Sequence, residues 1–159
     1  MPSLDEGAMI RLRAHAIYVG ALFVTMVAAM PGIAHDHATG IVKERMDRMA
    51  SMAKSMKNIR ERIKAKRDLT AIKADAEAIQ TLAAHIVHMF PTGSAQSPTQ
   101  AKAAIWQNWS DFEVKAQTTE VESSKLAATS PENFDAIAAQ ARALSQSCSD
   151  CHEKYRVKK

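Results

Sequence analysis

The residues best suited to chemistry stand close together near the C-terminal end, in the run Cys148-Ser-Asp-Cys151-His152. Two cysteines separated by two residues and followed directly by a histidine form the motif through which haem c is attached. The thiols add across the two vinyl groups of the haem, and the adjacent imidazole reaches the iron. Because His152 follows Cys148 by four residues, one helical turn places all three groups along one edge of a flat macrocycle. The spacing predicts one covalent haem c, held by two thioethers, with His152 as an iron ligand.

Three other uses of these cysteines are less consistent with the sequence. A zinc site would need two further ligands at metal-binding spacing, and the sequence has no second CxxC and no HxxxH. A thioredoxin-like redox pair lies at the start of a helix after a strand, whereas this pair falls inside the last predicted helix. A purely structural pair of buried thiols would leave the following histidine unexplained. No other group of residues suggests a catalytic constellation, so the chain is not expected to be an enzyme.

The remaining histidines offer two rival metal sites. His85 and His88 are spaced for one helical face, but at the end of a predicted helix they are expected to be solvated or to cap it. Cleavage after Ala34 would leave His35-Asp36-His37 at a new N-terminus with a free amine. A free amine together with a histidine at position three can bind Cu(II) or Ni(II) in a square-planar site of nitrogen ligands. The alternative for this terminus is a solvated tail, and the sequence leaves both interpretations open.

The N-terminal segment has the organisation of a secretory signal. Arg11 and Arg13 precede an apolar run over 16–30, and Gly32-Ile33-Ala34 supplies the small residues that a signal peptidase reads. A membrane-spanning helix would need ~20 apolar residues, and this run is shorter, so a stable membrane anchor is not expected. We expect a signal peptide over 1–34, cleavage after Ala34, and one periplasmic domain over 35–159.

Charge and cysteine content exclude further classes of protein. The chain has 21 Lys and Arg against 17 Asp and Glu, which gives a formal net charge of +4 without a dense basic block. A nucleic-acid partner is therefore not expected. Two cysteines are also too few for a secreted scaffold held together by disulfides.

Apolar periodicity and helix boundary signals predict four helices and no strand. The first is expected over 39–66, the second from 68 or 70 to 90, and the third over 99–127, with a weakened apolar period over 118–124. Ser130 as N-cap and Pro131 at the first helical position predict the start of the fourth, which runs to the C-terminal end. These lengths predict an all-α, antiparallel four-helix bundle.

Heptad-like apolar seams mark the inward faces of three of these helices. The seam of the second helix contains Ile72, Ala76, Ile79, Ala83, Ile86 and Phe90. The seam of the first contains Val42, Met46, Met49, Ala53, Met56 and Ile63. The seam of the fourth contains Phe134, Ile137, Ala141, Leu144, Cys148, Cys151 and Tyr155. Because the two cysteines occupy the two seam positions before Tyr155, both sulfurs are expected to point into the bundle.

A haem-attachment motif on the last helix of an exported four-helix bundle resembles the cytochrome c′ family, the class II cytochromes c. The resemblance covers essentially the whole of 35–159. Its terminal block is the run from Cys148 to Arg156, and Arg45-Met-Asp-Arg-Met49 resembles the first-helix pattern of the family. Phe90-Pro91 and Ile105-Trp106 resemble its second and third segments.

The family divides on the sixth iron position. Members with an aromatic or aliphatic residue there have five-coordinate iron and bind nitric oxide or carbon monoxide, whereas members with methionine are low-spin, six-coordinate electron carriers. The position four after Arg45 is Met49, so the resemblance implies an electron carrier ligated by His152 and Met49. Met46 is the alternative ligand, and gas binding at an open distal face is the alternative function. Met52 and Met56 are expected to be core residues.

Arg45 and Trp106 are the other candidate cofactor-binding residues. Arg45 falls inside the apolar stripe of the first helix, where an unpaired guanidinium would be costly. No carboxylate shares that seam, and the matching arginine of the family is placed to bond a haem propionate. The alternative is an arginine that extends along its stem to solvent. Trp106 is expected to be chiefly a core residue that also contacts the haem edge.

The basic C-terminal end suggests how the chain meets other proteins. Lys154, Arg156, Lys158 and Lys159 complement the negative end of the last helix. They would also face acidic redox partner proteins near the haem edge. The resemblance leaves open whether the chain is a monomer or a homodimer.

Overall fold

The computed structural model describes residues 38–96 and 98–158. The predicted signal peptide, its cleavage position and the His35-Asp36-His37 segment lie outside these ranges. Within them, no helix combines the length and the apolar character needed to cross a membrane. The described residues cover nearly all of the domain that the sequence predicts over 35–159.

Four long helices and one short helix make up the described part of the chain. They are α1 (Gly40–Ala65), α2 (Ile72–Ala83), α3 (Ala104–Gln107), α4 (Trp109–Ala128) and α5 (Phe134–Tyr155), with 3₁₀ turns at Leu69–Ala71 and Val87–Met89. Helix α2 packs against α1 and α4, and α5 packs against α4 and α1. The four long helices therefore close into a bundle, and the predicted all-α fold is confirmed.

Contacts at the two ends of the bundle show how neighbouring helices run. Just past the end of α1, the Lys66 ammonium lies 5.0 Å from the ring centroid of Phe134, the first residue of α5. At the opposite end, the Tyr155 hydroxyl at the end of α5 lies 3.2 Å from the carbonyl oxygen of Asn108, the residue before α4. Helix α5 is thus antiparallel to both α1 and α4.

The second predicted helix is shorter than expected. Its α-helical part ends at Ala83, and the chain continues through turns into the 3₁₀ segment before Phe90. In this region backbone N–H groups bond to carbonyls three residues earlier, as in Met89 to Ile86 at 3.0 Å. All six seam residues are nevertheless buried, from Ile72 to Phe90, so the apolar pattern predicted the inward face but not the tighter winding.

The third predicted helix is corrected at its start and in its middle. Helical structure begins at Ala104 rather than at Thr99, and it is interrupted at Asn108, whose φ of −132° and ψ of 48° leave the helical region. Helix α4 runs without a break through 118–124, where the sequence shows a weakened apolar period. Buried Thr119 and Ser123 donate hydroxyl hydrogen bonds to carbonyls one turn earlier, at 3.2 Å and 2.9 Å. Their hydroxyls can thus face inward without breaking the helix.

Helix α5 begins three residues later than Ser130 and Pro131 predict. Its N-cap is Asn133, whose side-chain oxygen accepts a hydrogen bond from the backbone N–H of Ala136 at 3.0 Å. Ser130 instead accepts the Asn133 N–H with its carbonyl at 3.1 Å and forms the preceding turn. Asparagine and serine cap helices comparably well, so N-cap preference alone does not distinguish Asn133 from Ser130. The proline at position 131 led the prediction to the wrong residue.

The inward stripe of α1 differs in part from the predicted seam. Val42 and Met56 are buried as expected, but Ala53 is exposed and its neighbour Met52 is buried in its place. Ile59 is also fully buried. Arg45 belongs to the same stripe, so a charged side chain lies in the bundle interior.

Candidate functional site

The two cysteines lie on the inner side of the last turns of α5. Both thiols are free and half-buried, and both pack against the apolar core. Burial raises the pKa of both thiols, and that of Cys151 reaches about 11 despite the opposing effect of the Lys115 charge. Both cysteines occupy the seam positions that the sequence predicts.

His152 lies one turn after Cys148 and is more exposed than either cysteine. Enough protein surrounds the ring that desolvation lowers its pKa, and the positive charge of Arg156 lowers it further. Both effects favour the neutral imidazole, which is the form that ligates metals. The three groups of the motif thus lie within one turn, with the sulfurs inward and the imidazole at the rim.

The end of α5 is fastened to the start of α4 by a short polar network. The buried Tyr155 side chain donates its hydroxyl to the carboxylate of Asp111 at 2.6 Å. The Lys154 ammonium donates to the same carboxylate at 2.9 Å. The bond from Tyr155, followed by that from Lys154, lowers the pKa of Asp111 below its usual value. Three residues after His152, the helix therefore has a fixed position against its neighbour.

The same end of α5 also pairs with the segment before α3. The backbone N–H of Lys102 donates to the Tyr155 carbonyl at 2.9 Å, and that of Val157 donates to the Gln100 carbonyl at 2.8 Å. The Arg156 side chain donates to the Gln100 side-chain oxygen at 2.8 Å. The Lys102 ammonium lies 3.3 Å from two of the last carbonyls of α5, those of Glu153 and Lys154. These contacts provide partners for a helix end that would otherwise face solvent.

Arg45 is the buried charge of the site, with 4% of its surface exposed. Its Nε and Nη2 donate to the Met89 carbonyl at 3.0 Å and 2.8 Å, and Nη2 also donates to the Ser94 hydroxyl at 2.7 Å. Nη1 donates to the Thr99 hydroxyl at 3.2 Å. The guanidinium carbon stacks 4.0 Å from the ring centroid of Phe90. Arg45 therefore ties α1 to the connection between α2 and α3.

These contacts correct one expectation for Arg45 and leave the other a prediction. The side chain does not extend to solvent, because the bundle encloses it. Neutral carbonyl and hydroxyl groups supply its partners, and burial among them lowers its pKa. Nη1 makes one hydrogen bond within the described residues and carries a second N–H. The bond to a haem propionate stays a prediction.

The four methionines of α1 differ in their surroundings. Met52 and Met56 are buried members of the apolar core. Met49 is half-buried and packs against that core, as Cys148 and Cys151 do. Met46 is half-buried but is not among the side chains packed against the core.

An aromatic cluster completes the site end of the bundle. The Phe112 ring lies 4.9 Å from that of Phe90 and 5.4 Å from that of Tyr155, both edge to face. Trp106 is half-buried, and its indole N–H donates to the Phe90 carbonyl at 3.0 Å. Trp106 thus packs as expected, and its contact with a haem edge stays a prediction.

Sequence reasoning did not identify several residues that hold this site together. Ser94, Thr99 and Asp111 stand outside every apolar seam, and nothing in their spacing links them to Arg45 or Tyr155. A signal was present only in the buried arginine, because an inward charge requires polar partners from another segment.

His85 and His88 lie where α2 gives way to the 3₁₀ turn. Both are exposed, and their ring centroids are 6.2 Å apart. A winding of three residues per turn brings side chains three apart over one another. The described residues supply no third metal ligand beside them, so their expected solvated role stays the simpler interpretation.

The donor set at Cys148, Cys151 and His152 fits haem better than a metal ion held by side chains alone. Across 38–96 and 98–158, no group of three or more His, Cys, Asp or Glu side chains is arranged to hold an ion. A haem iron brings four ring nitrogens and needs only one or two protein ligands. Two inward thiols and a neighbouring imidazole would provide two attachment points and one such ligand.

Comparisons with known proteins agree on one family. The family described as Cytochrome C′ matches residues 40–156, from the first residue of α1 to the residue after α5. Cytochrome c-556 of Agrobacterium fabrum is 31% identical over 125 residues, which span 77% of this chain and 85% of the relative. The family match includes every helix of the bundle and the whole attachment motif.

Solved structures show the same architecture. Cytochrome c′ from Thermochromatium tepidum has a TM-score of 0.70 at 22% identity, with 74% of this chain and 95% of that chain covered. A nitric oxide complex of a cytochrome c prime variant from Alcaligenes xylosoxidans has a TM-score of 0.67 at 28% identity, with coverage of 75% and 94%. The helical bundle is thus shared along nearly the full length of these chains.

Proposed function

Because the chain belongs to the cytochrome c′ family, it is a haem c cytochrome, and we propose that it carries single electrons with His152 and Met49 as the two axial ligands. When bound, the haem iron supplies the Fe(III)/Fe(II) couple. The observation that carries the proposal is the position of Met49, whose half-buried thioether packs against the apolar core. Met49 belongs to α1, and α1 packs against α5.

Cys148, Cys151 and His152 are proposed to hold the group from α5. The inward thiols would form the two thioethers, and the imidazole at the rim would ligate the iron. The fixed end of α5, bonded through Tyr155 to Asp111, supports this role because it limits how far the imidazole can move.

Met49 is a better candidate for the sixth ligand than the other methionines of α1. Met52 and Met56 are enclosed by the core, where a thioether fills volume rather than meeting a cofactor. Met46 does not pack against the core that the cysteines touch. A thioether ligand favours Fe(II) and raises the reduction potential, which suits a carrier of single electrons.

Arg45 and Trp106 are proposed to line the cofactor from the side of the connection. The second N–H of Arg45 Nη1 would bond a propionate, while its other donors keep the carbonyl of Met89 and the hydroxyls of Ser94 and Thr99 in place. The Trp106 ring, fixed through its bond to the Phe90 carbonyl, would meet the haem edge.

The setting proposed for this activity is the periplasm, after removal of 1–34. The basic residues around the end of α5 support an acidic redox partner, although Lys154 is already paired with Asp111. No enzymatic turnover, nucleic-acid partner or membrane anchor is part of the proposal.

Gas binding is the second candidate function, favoured by the nitric oxide complex formed by one of the similar structures. That cytochrome c prime shares the bundle at 28% identity, so the fold itself is compatible with an open distal face. The choice depends on whether the thioether of Met49 occupies the sixth position.

A visible spectrum of the exported holoprotein, oxidised and reduced, with and without carbon monoxide, tests the proposal. A low-spin spectrum that carbon monoxide changes only slowly or not at all is the result expected of a carrier. A high-spin spectrum with ready carbon monoxide binding would establish the second function instead.

A further inference from the structure

A segment of four residues, shortly before α3, connects the two helices that carry the proposed iron ligands. We infer that Thr99–Lys102, here called the 99–102 bridge, positions α1 against α5 and thereby stabilises sulfur ligation at the sixth position. The inference rests on the proposed function and adds a positioning element that neither helix contains. Within the 99–102 bridge, Thr99 is the residue on which the inference chiefly depends.

One side of the bridge is bonded to α1. The Thr99 hydroxyl accepts from Arg45 Nη1 at 3.2 Å, and Arg45 lies one turn before Met49. Because Arg45 is buried and stacks on Phe90, its guanidinium has little freedom to follow a displaced partner. The position of Thr99 is therefore coupled to the turn of α1 that presents Met49.

The other side of the bridge is bonded to α5. Gln100 accepts the Val157 N–H at 2.8 Å, and the Lys102 N–H donates to the Tyr155 carbonyl at 2.9 Å. Ala101 and Arg156 also pair with each other as in an antiparallel β-sheet, outside any strand. These backbone pairs begin three residues after His152, so the bridge is fastened to the turn of α5 that follows the proposed fifth ligand.

Thr99 also shapes the bridge itself. Its hydroxyl oxygen accepts the backbone N–H of Ala101 at 3.1 Å, a bond across two residues that holds the local turn. One oxygen atom thus receives a hydrogen bond from α1 and another from within the bridge. Removing it would loosen α1 from α5 without altering either proposed ligand.

Such loosening would act on the sixth ligand in particular. His152 directly follows the two proposed covalent attachment points on the same helix, whereas Met49 comes from a different helix and depends on the distance between the two helices. Carbon monoxide can take the sixth position only while the thioether is released, so its association rate reports the released fraction.

The test compares Thr99→Val with Thr99→Ser in the holoprotein. Valine keeps the shape but removes the oxygen, and we expect the association rate of carbon monoxide with the reduced protein to rise roughly fivefold, the factor that one lost hydrogen bond makes in an equilibrium. The high-spin fraction should rise with it, and the backbone amides of Ala101 and Lys102 should exchange faster. Serine retains the oxygen and should restore all three measurements.

Ser123→Ala is the matched control, because it removes a buried hydroxyl hydrogen bond from α4, away from the bridge. It should lower the melting temperature without changing carbon monoxide binding. If Thr99→Val folds too poorly to measure, Gln100→Ala loosens the exposed side of the bridge and should change the rate in the same direction by a smaller factor.

The outcomes separate this inference from the proposed function. A high-spin wild-type protein would overturn both. A low-spin wild-type protein whose Thr99→Val variant binds carbon monoxide at the wild-type rate, or no faster than Ser123→Ala, would overturn the bridge alone.

Discussion

The two ends of the bundle are held together in different ways. At the end where α5 begins, Ile72, Leu126 and Ile137 are each at most 2% exposed and belong to one apolar core. At the end where α5 finishes, hydrogen bonds from Arg45 and Tyr155 connect separate segments, and Cys148, Cys151 and Met49 are only half-buried. We refer to these as the apolar end and the site end.

The contrast indicates what each end requires of its residues. At the apolar end the contribution of these three side chains follows from their volume and hydrophobicity, since burial is the main stabilising contribution. At the site end the direction of donors and the position of individual atoms decide, so a substitution of equal size can still be disruptive. Changes at the two ends should therefore separate stability from cofactor chemistry.

The largest effect is expected at the attachment motif. Cys148→Ala with Cys151→Ala removes both thioethers, and His152→Ala removes the proposed ligand. We expect the yield of holoprotein after export to fall to a small fraction of wild type for the double variant, and the His152→Ala spectrum to change. Staining for covalent haem on denaturing gels, together with the visible spectrum, measures both.

Ser149→Ala is the matched control for the motif, because Ser149 is exposed and bonds only to the carbonyl one turn earlier in its own helix. It should attach haem normally. Covalent haem in the double cysteine variant, or an unchanged native spectrum in His152→Ala, would contradict the assignment of the motif.

A smaller effect, without change in the spectrum, is expected at the apolar end. Ile72→Ala removes buried methylene and methyl groups and leaves a cavity, which should cost about 2–5 kcal/mol of unfolding free energy. Denaturant titration followed by circular dichroism gives the loss, and the visible spectrum of the remaining folded protein should match wild type. A change of spin state in this variant would show that the two ends are not separable.

The smallest effect is expected from the Tyr155 hydroxyl, and it should depend on pH. The hydrogen bond from Tyr155 is the leading cause that lowers the pKa of Asp111. The stabilisation that this bond gives the folded state is therefore complete above the pKa of a free carboxyl, near 4. It is lost as the pH falls through the lowered pKa of Asp111. Tyr155→Phe should lower the melting temperature at neutral pH. The difference in melting temperature from wild type should shrink in acid.

Thr118→Val provides the comparison for that pH series. Its exposed hydroxyl bonds to the Val114 carbonyl within α4 and to no titrating group. Its effect on the melting temperature should be the same at every pH. A Tyr155→Phe difference that is equally independent of pH would contradict the role of Asp111.

The sequence predicted apolar burial better than polar contacts, for a physical reason. Burial follows periodicity, so the seam of α2 was correct in all six positions, although part of it winds as a 3₁₀ turn. Hydrogen bonds between distant segments have no period, so the partners of Arg45 at Ser94 and Thr99 could not be predicted. The attachment motif was recognisable because its three residues are adjacent in the chain.

Errors at helix boundaries have a related cause. Ser130 and Pro131 form a good start signal, yet Asn133 caps α5. Ala53 and Met52 exchanged roles on α1, because a seam that contains an arginine is difficult to place from apolar residues alone. The fold was thus predictable in class and order, and the polar contacts that complete the site required the structure.

The most direct test of the account is a comparison of carbon monoxide binding by the reduced wild-type, Met49→Ala and Met52→Ala holoproteins. The account predicts that wild type and Met52→Ala stay low-spin and react slowly, while Met49→Ala becomes high-spin and binds carbon monoxide readily, with a lower reduction potential. A Met49→Ala protein with the wild-type spectrum and rate would contradict ligation by Met49. Conversion by Met46→Ala instead would place the ligand one turn earlier on α1.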